Sequence, residues 1–298
     1  MSSNSAFWDL DGAKGGPTSF ARYLSRQGFD VWSVDLRGCG KSSKAGWVSR
    51  DQVAQEQVVP TARFGKEDWT IDDTIHLDIP AILRVVREES QQPQVNWVGH
   101  GMGASVLAGF LVTHDGNSIK SFTAIGMPIL FPKPVNDILT DLAKPKNADR
   151  LSAIFNAASN LSASMEELFF HESNVDDAGR NAMRVKASEA VPPGVLEQFA
   201  QCVRSGEFLS SDKRTSYAKG LEKITVPILF AAGPLDNLAS VTGVYETYGR
   251  VSSIDKTLRV FQKANGHSAD YGHQDLIIGR SAPDDVYPFI AAWLSERS

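Results

Sequence analysis

Val95-Asn96-Trp97-Val98-Gly99-His100-Gly101-Met102-Gly103-Ala104 decides the fold of this 298-residue chain. An apolar β-rich run meets a G-x-G-x-G turn, and a helix-forming stretch, MGASVLAGFLVTH (102–114), follows at once. Such a strand–turn–helix forces its middle residue into strained backbone angles, so the residues beside it must be small. A phosphate-binding glycine loop is the competing reading. It fails on spacing, because no G-x-G-x-x-G emerges and no acidic ribose partner stands downstream.

On either side of this turn, short β-rich runs alternate with amphipathic helical stretches, the signature of a parallel α/β sheet. The pattern predicts a helix over 19–28, a strand over 29–38, a helix over 69–90 and strands over 94–100 and 119–128. Strands at 224–233 and 257–266 and a closing helix at 284–296 complete it. Between residues 129 and 222 the texture changes to helical segments broken by Pro132, Pro134, Pro145, Pro192 and Pro193, with no strong strand. The expected organisation is therefore a core of residues 1–128 and 223–298 carrying an inserted helical lid at 129–222.

Composition narrows the function. Thirty Lys and Arg against 35 Asp and Glu give a formal charge of −5, with no basic stripe for nucleic acid. No apolar run reaches the ~20 residues of a membrane helix, and residues 1–20 carry no secretory pattern, so a cytoplasmic protein is expected. Cys39 and Cys202 are far apart and match no metal spacing, which suits a reducing compartment. Oligomeric state is not written in these features.

With its elbow glycines Gly99 and Gly103 and the fillers His100 and Met102, the chain resembles the α/β-hydrolase superfamily, in particular its esterase- and lipase-like members. Asp35-Leu36-Arg37-Gly38-Cys39-Gly40-Lys41-Ser42 is similar to a D-x-R-G-x-G-x-S turn that many members carry. The resemblance runs from about Ser19 to Trp293. It implies an α/β-hydrolase-like, mostly parallel sheet flanked by helices, with no metal or organic cofactor required. It also implies roles. Asp236, in the turn Gly233-Pro234-Leu235-Asp236, matches the acid that orients the catalytic histidine, and His273, in Tyr271-Gly272-His273-Gln274-Asp275, matches the histidine itself. The Met102 N–H corresponds to an oxyanion donor. The order nucleophile, acid, histidine agrees with the superfamily.

The nucleophile position, however, is Gly101. Acyl transfer of this kind needs an Oγ that the histidine can deprotonate and that can carry the acyl group. Loss of such a serine costs on the order of 10⁶ in turnover. Ser105, one helical turn further on, is a poor substitute. His267 competes with His273 as base but lacks the H-x-D-L-x-x-G context. A metal cluster of His267, Asp270, His273 and Asp275 is outweighed by the simpler use of His273. His76, His114 and His171 are expected on helices, in surface or lid roles.

The superfamily's opening strands have no counterpart in residues 1–18. One of them lies, in the family sheet, between the strands matching 29–36 and 94–99, so its loss leaves two strand edges unpaired, at about 1–3 kcal/mol for each buried group. Against a typical stability of ~5–15 kcal/mol, that gap demands an explanation. Three are available: an incomplete chain, direct pairing of the two neighbours, or a makeshift strand from residues 1–10.

Three functions compete. The first is an ester, lipid or thioester hydrolase lineage impaired at Gly101. The second is a pseudoenzyme binding a small apolar ligand or a partner, with Phe155, Leu168, Phe169 and Phe170 of the lid lining the pocket. The third is acid–base chemistry by His273 and Asp236 without a nucleophile, of lyase or cofactor-free oxygenase type.

Overall fold

Branched and aromatic residues pack well on a pleated surface, and four such runs form strands: β1 (Val95–His100), β2 (Ile119–Ile125), β3 (Ile228–Ala232) and β4 (Lys256–Val260). The computed structural model describes residues 3–10, 19–42, 69–133, 135–149, 151 and 166–298. Within them the strands pair in the order β1-β2-β3-β4, all parallel. His100 lies opposite Ile125, and Ile125 opposite Ala231, so the carboxyl ends of β1, β2 and β3 are level. The loops that leave those ends therefore meet. β3 is buried along its whole length, which makes it the centre of the core.

Helices cover the sheet. Ser19 caps α1 (Phe20–Arg26) by accepting from the Arg22 N–H. Helical turns at Ile71–Asp73 and Thr74–Asp78 lead into α2 (Ile79–Ser90), and Ile71, Ile75, Ile79 and Leu83 recur every four residues as one buried stripe. α3 (Met102–Thr113) is apolar on nearly every side and buried along nearly all of its length. At Gly109 of α3 a β-carbon would lie 2.6 Å from Ile75 Cδ1, so this glycine sets how closely the two helices approach. Between β2 and β3 lie α4 (Asp137–Leu142), α5 (Asp177–Ala182) and α6 (Pro193–Ser205), with isolated bridges but no strand among the described residues. α7 (Val241–Arg250) joins β3 to β4, and α8 (Tyr287–Ser295) closes the chain.

The expected strand at 29–38 does not form. Residues 29–36 make no ladder, and Trp32 and Val34 are exposed. Among the described residues their strand-like side chains have no neighbouring strand to pack beside, and β-propensity acts only through such packing. Neither bridging explanation holds: 29–36 does not pair with β1, and Ser5–Asp9 is a 3₁₀ turn capped by Asn4 rather than a strand. Among the described residues, β1 keeps β2 as its one neighbour. The following turn is nevertheless held firmly. Asp35 accepts from the N–H groups of Ser5 (2.6 Å) and Lys41 (2.8 Å), and Arg37 reaches both carboxylate oxygens of Asp78. His171 also departs from expectation, since it precedes a 3₁₀ turn rather than lying on a helix. Phe155 and Pro134 fall outside the described residues.

No described helix is long and apolar enough to cross a membrane. Cys39 and Cys202 are free and buried, and burial pushes the Cys202 thiol up to about 12.

Candidate active site

The turn between β1 and α3 has the strained geometry its sequence predicts. Gly101 sits at φ 54° and ψ −122°, donates its N–H to the Ile125 carbonyl (2.8 Å) and accepts from the N–H groups of Ala104 and Ser105. The two outer glycines differ in what they do. A β-carbon at Gly99 would stand 2.6 Å from the Ala104 nitrogen, so nothing larger fits. At Gly103 a β-carbon would meet no atom within 4 Å, so the steric argument does not extend to that position.

Asp236 follows β3 in a tight turn. Its Oδ1 accepts from the Leu238 and Ala239 N–H groups (2.9 and 2.7 Å), leaving Oδ2 for the His273 Nδ1–H at 2.8 Å. The Asp236 side chain has no exposed surface, and that of His273 has 8%. Gly126, at φ 53° beyond β2, closes the back of the pair: a β-carbon there would be 3.0 Å from Asp236 Oδ2 and 3.1 Å from His273 Nδ1. No sequence motif flags Gly126. Its signal is only its place at the level end of the neighbouring strand.

The other edge of the imidazole faces the elbow. A β-carbon on Gly101 would lie 2.8 Å from His273 Nε2. Gly101, Asp236 and His273 therefore converge, although they come from the ends of β1, of β3 and of the loop beyond β4. Met102 contributes the first N–H of α3, and no acceptor for it is found among the described residues.

His100, a filler in the motif, has a definite job. Its Nε2–H donates to the His273 carbonyl at 2.9 Å, with the two rings 4.5 Å apart. Burial, and secondarily the neighbouring His273, hold the His100 pKa well below the ordinary imidazole value, which favours the neutral ring.

The remaining candidates disperse. Ser105 turns its hydroxyl to the Pro128 carbonyl at 3.1 Å. His267 faces Asp285, Asp270 accepts from the Lys263 N–H, and Asp275 accepts from Gly272 and Asn174. Among the described residues no group of three or more His, Cys, Asp or Glu could hold a metal ion. His76 lies beside the Tyr217 hydroxyl and the His114 ring. A cavity of about 420 Å³ lined by Arg84, Arg87, Phe110 and His114 opens at the far end of α3. The nearest lining residue on this helix, Phe110, is nine positions beyond Gly101, roughly 14 Å at the helical rise, so the cavity does not serve this site.

A parallel sheet with a sharp strand-to-helix turn at one carboxyl end and an Asp–His pair over that turn defines a class. The chain belongs to the alpha/beta hydrolase fold family, whose profile matches residues 12–269. It is 24% identical to triacylglycerol lipase 2 of Arabidopsis thaliana over 314 aligned positions, covering 92% of this chain and 70% of that protein. Gastric triacylglycerol lipase of Rattus norvegicus is 24% identical, with 93% of this chain and 75% of that protein covered. Among solved structures, a monoacylglycerol lipase from Paleococcus ferrophilus superposes with a TM-score of 0.60 at 16% identity, covering 94% of this chain and 88% of that one. A thermophilic esterase from Thermogutta terrifontis gives 0.58 at 15% identity, with 94% and 86% covered. The lineage is esterase- and lipase-like.

Proposed function

We propose that this chain binds a small apolar or acyl-type molecule over the elbow, and that its ester-hydrolysing chemistry is impaired by Gly101. The observation that carries this reading is the facing of His273 Nε2 and Gly101, with Asp236 behind Nδ1. In the parental chemistry a hydroxyl at position 101 attacks the acyl carbon, and His273 takes its proton and returns it to the leaving alcohol. Asp236 holds the tautomer and stabilises the imidazolium, and the Met102 N–H receives the developing oxyanion. Here the acid, the histidine and one oxyanion N–H of the parental set are present, and the attacking oxygen is absent. The helical insertion at 129–222 acts as the lid, and its segment 166–175 adjoins the acid turn and the histidine loop. Introducing Gly101→Ser tests the reading: ester hydrolysis should appear, and its failure in a folded variant would sink the hydrolase lineage as an account of this site.

One observation favours a second reading. His273 Nε2 has no hydrogen-bond partner among the described residues, so it is free to take a proton directly from a bound ligand or water. Under acid–base chemistry without a nucleophile, His273→Ala in the Gly101 chain abolishes an activity that serine does not improve.

A further inference from the structure

The peptide groups on both sides of His273 are tied down, and most of the ties lead outside the Asp236–His273 pair. The Gly272 N–H donates to Asp275 Oδ2 at 2.8 Å. The Gln274 N–H donates to the Phe169 carbonyl at 2.6 Å, and the His273 carbonyl accepts from His100. One amide closes the loop from end to end: Asn174 Nδ2 donates to Asp275 Oδ2 (2.5 Å) and to the Asp270 carbonyl (2.6 Å). Asn174 is 8% exposed and Asp275 is fully buried. The Asn174 carbonyl in turn accepts from the Arg280 N–H at 2.8 Å. The same segment touches the acid turn, where Asn237 Nδ2 donates to the Glu167 carbonyl at 2.8 Å.

We propose that Asn174 and Asp275 are positioning residues for His273: a clamp, donated by the insertion, that holds loop 270–275 at the height where the imidazole meets both Asp236 and the elbow. The proposal rests on His273 being the acid–base group of the site. The chemistry suits the role. A buried carboxylate must be satisfied by donors, and Asp275 obtains them from the peptide before His273 and from Asn174, so neither partner can shift without leaving a buried charge short of a bond. Burial also raises the Asp275 pKa, against the bonds from Gly272 and Asn174, which lower it.

The test uses the full chain with Asn174→Ala, and Asn174→Ser as a milder variant that keeps one short donor. In the Gly101 chain, proton NMR should show the downfield Nδ1–H of His273 bonded to Asp236, and Asn174→Ala should broaden or remove it while the circular dichroism spectrum is kept. In the Gly101→Ser background, kcat for a short acyl ester should fall about 10–100-fold with KM within about threefold, since a misplacement of ~1 Å costs on the order of 100-fold. If Asn174→Ala does not fold, Asn174→Ser should show the same changes at smaller size. An unaltered Nδ1–H signal and kcat in a folded Asn174→Ala chain overturn the clamp. If Gly101→Ser is inactive yet the NMR signal is lost on Asn174→Ala, the clamp stands and the hydrolase reading falls.

Discussion

A β-carbon on Gly101 would stand 2.8 Å from His273 Nε2, closer than real β-carbons come to a non-bonded heavy atom. The imidazole rests directly over the elbow, anchored from behind by Asp236. Any larger residue at 101 must push the ring back by some tenths of an ångström and must also adopt φ near 54°, where side chains are strained.

Both Gly101→Ala and Gly101→Ser should therefore destabilise the chain, by about 1–3 kcal/mol each. Thermal melting should show this as a fall of several degrees, equal for the two within a degree or so. Gly101 thus has a stability advantage that serine would forfeit in exchange for an attacking oxygen. A rise in melting temperature for either variant would contradict the strained geometry.

Asp236→Asn tests how the pair is wired. The two turn N–H groups of Leu238 and Ala239 claim the amide oxygen, so the amide NH₂ is left facing His273 Nδ1. That arrangement imposes the wrong tautomer, and in the Gly101→Ser background kcat should drop about 10⁴-fold. A loss below tenfold would mean that Asp236 does not orient the imidazole.

Acid should weaken the fold through imidazoles that the folded chain protonates less readily than the unfolded one, His100 foremost. Burial is the first cause lowering the pKa of His76, His100 and His267 below 6.5. The unfolded chain then binds protons that the native chain refuses, so stability is intact above about pH 6.5 and declines as pH falls beneath it. The buried His100 contributes at most about 1.4 kcal/mol per pH unit, and the solvent-screened His76 much less. Denaturant titrations of the parent and of His100→Gln should differ in this slope by close to one proton between pH 6.5 and the folded pKa. Parallel slopes would show that His100 titrates as it does in the unfolded chain.

The elbow and the Asp–His pair were legible because their signals are local: paired glycines around position 101, an Asp closing a β-turn, and a His followed two residues later by Asp. The strands β1 to β4 were legible for the same reason, their branched residues being bounded by turn formers. Residues 29–36 misled because Val31, Trp32 and Val34 have strand propensity, but a strand exists only beside a partner, and partnership is a long-range property. The clamp was invisible for a related cause. Asn174 and Asp275 are 101 positions apart, and nothing about a lone Asn between helices announces a contact with the histidine loop. The role of Gly126 depends on the register of β2 beside β1, which no single segment encodes.

The edge of β1 that has no partner strand among the described residues has its own signature. Val95 and Gly101 donate toward β2, and in a parallel ladder alternate residues share a direction. The N–H groups of Trp97 and Gly99 then point to β2, and those of Asn96, Val98 and His100 point away from it. Amide hydrogen exchange should alternate accordingly, protected at 97, 99 and 101 and fast at 96, 98 and 100. Protection at all six would mean that another strand covers this edge.

The most direct measurement is hydrolysis of p-nitrophenyl esters of short and medium chain by the parent, Gly101→Ala and Gly101→Ser, side by side. The account predicts background rates for the parent and for alanine. For serine it predicts a burst of p-nitrophenol followed by turnover that His273→Ala removes. A folded serine variant as inert as alanine would contradict it, and equal hydrolysis by the unaltered chain would place the chemistry somewhere other than position 101.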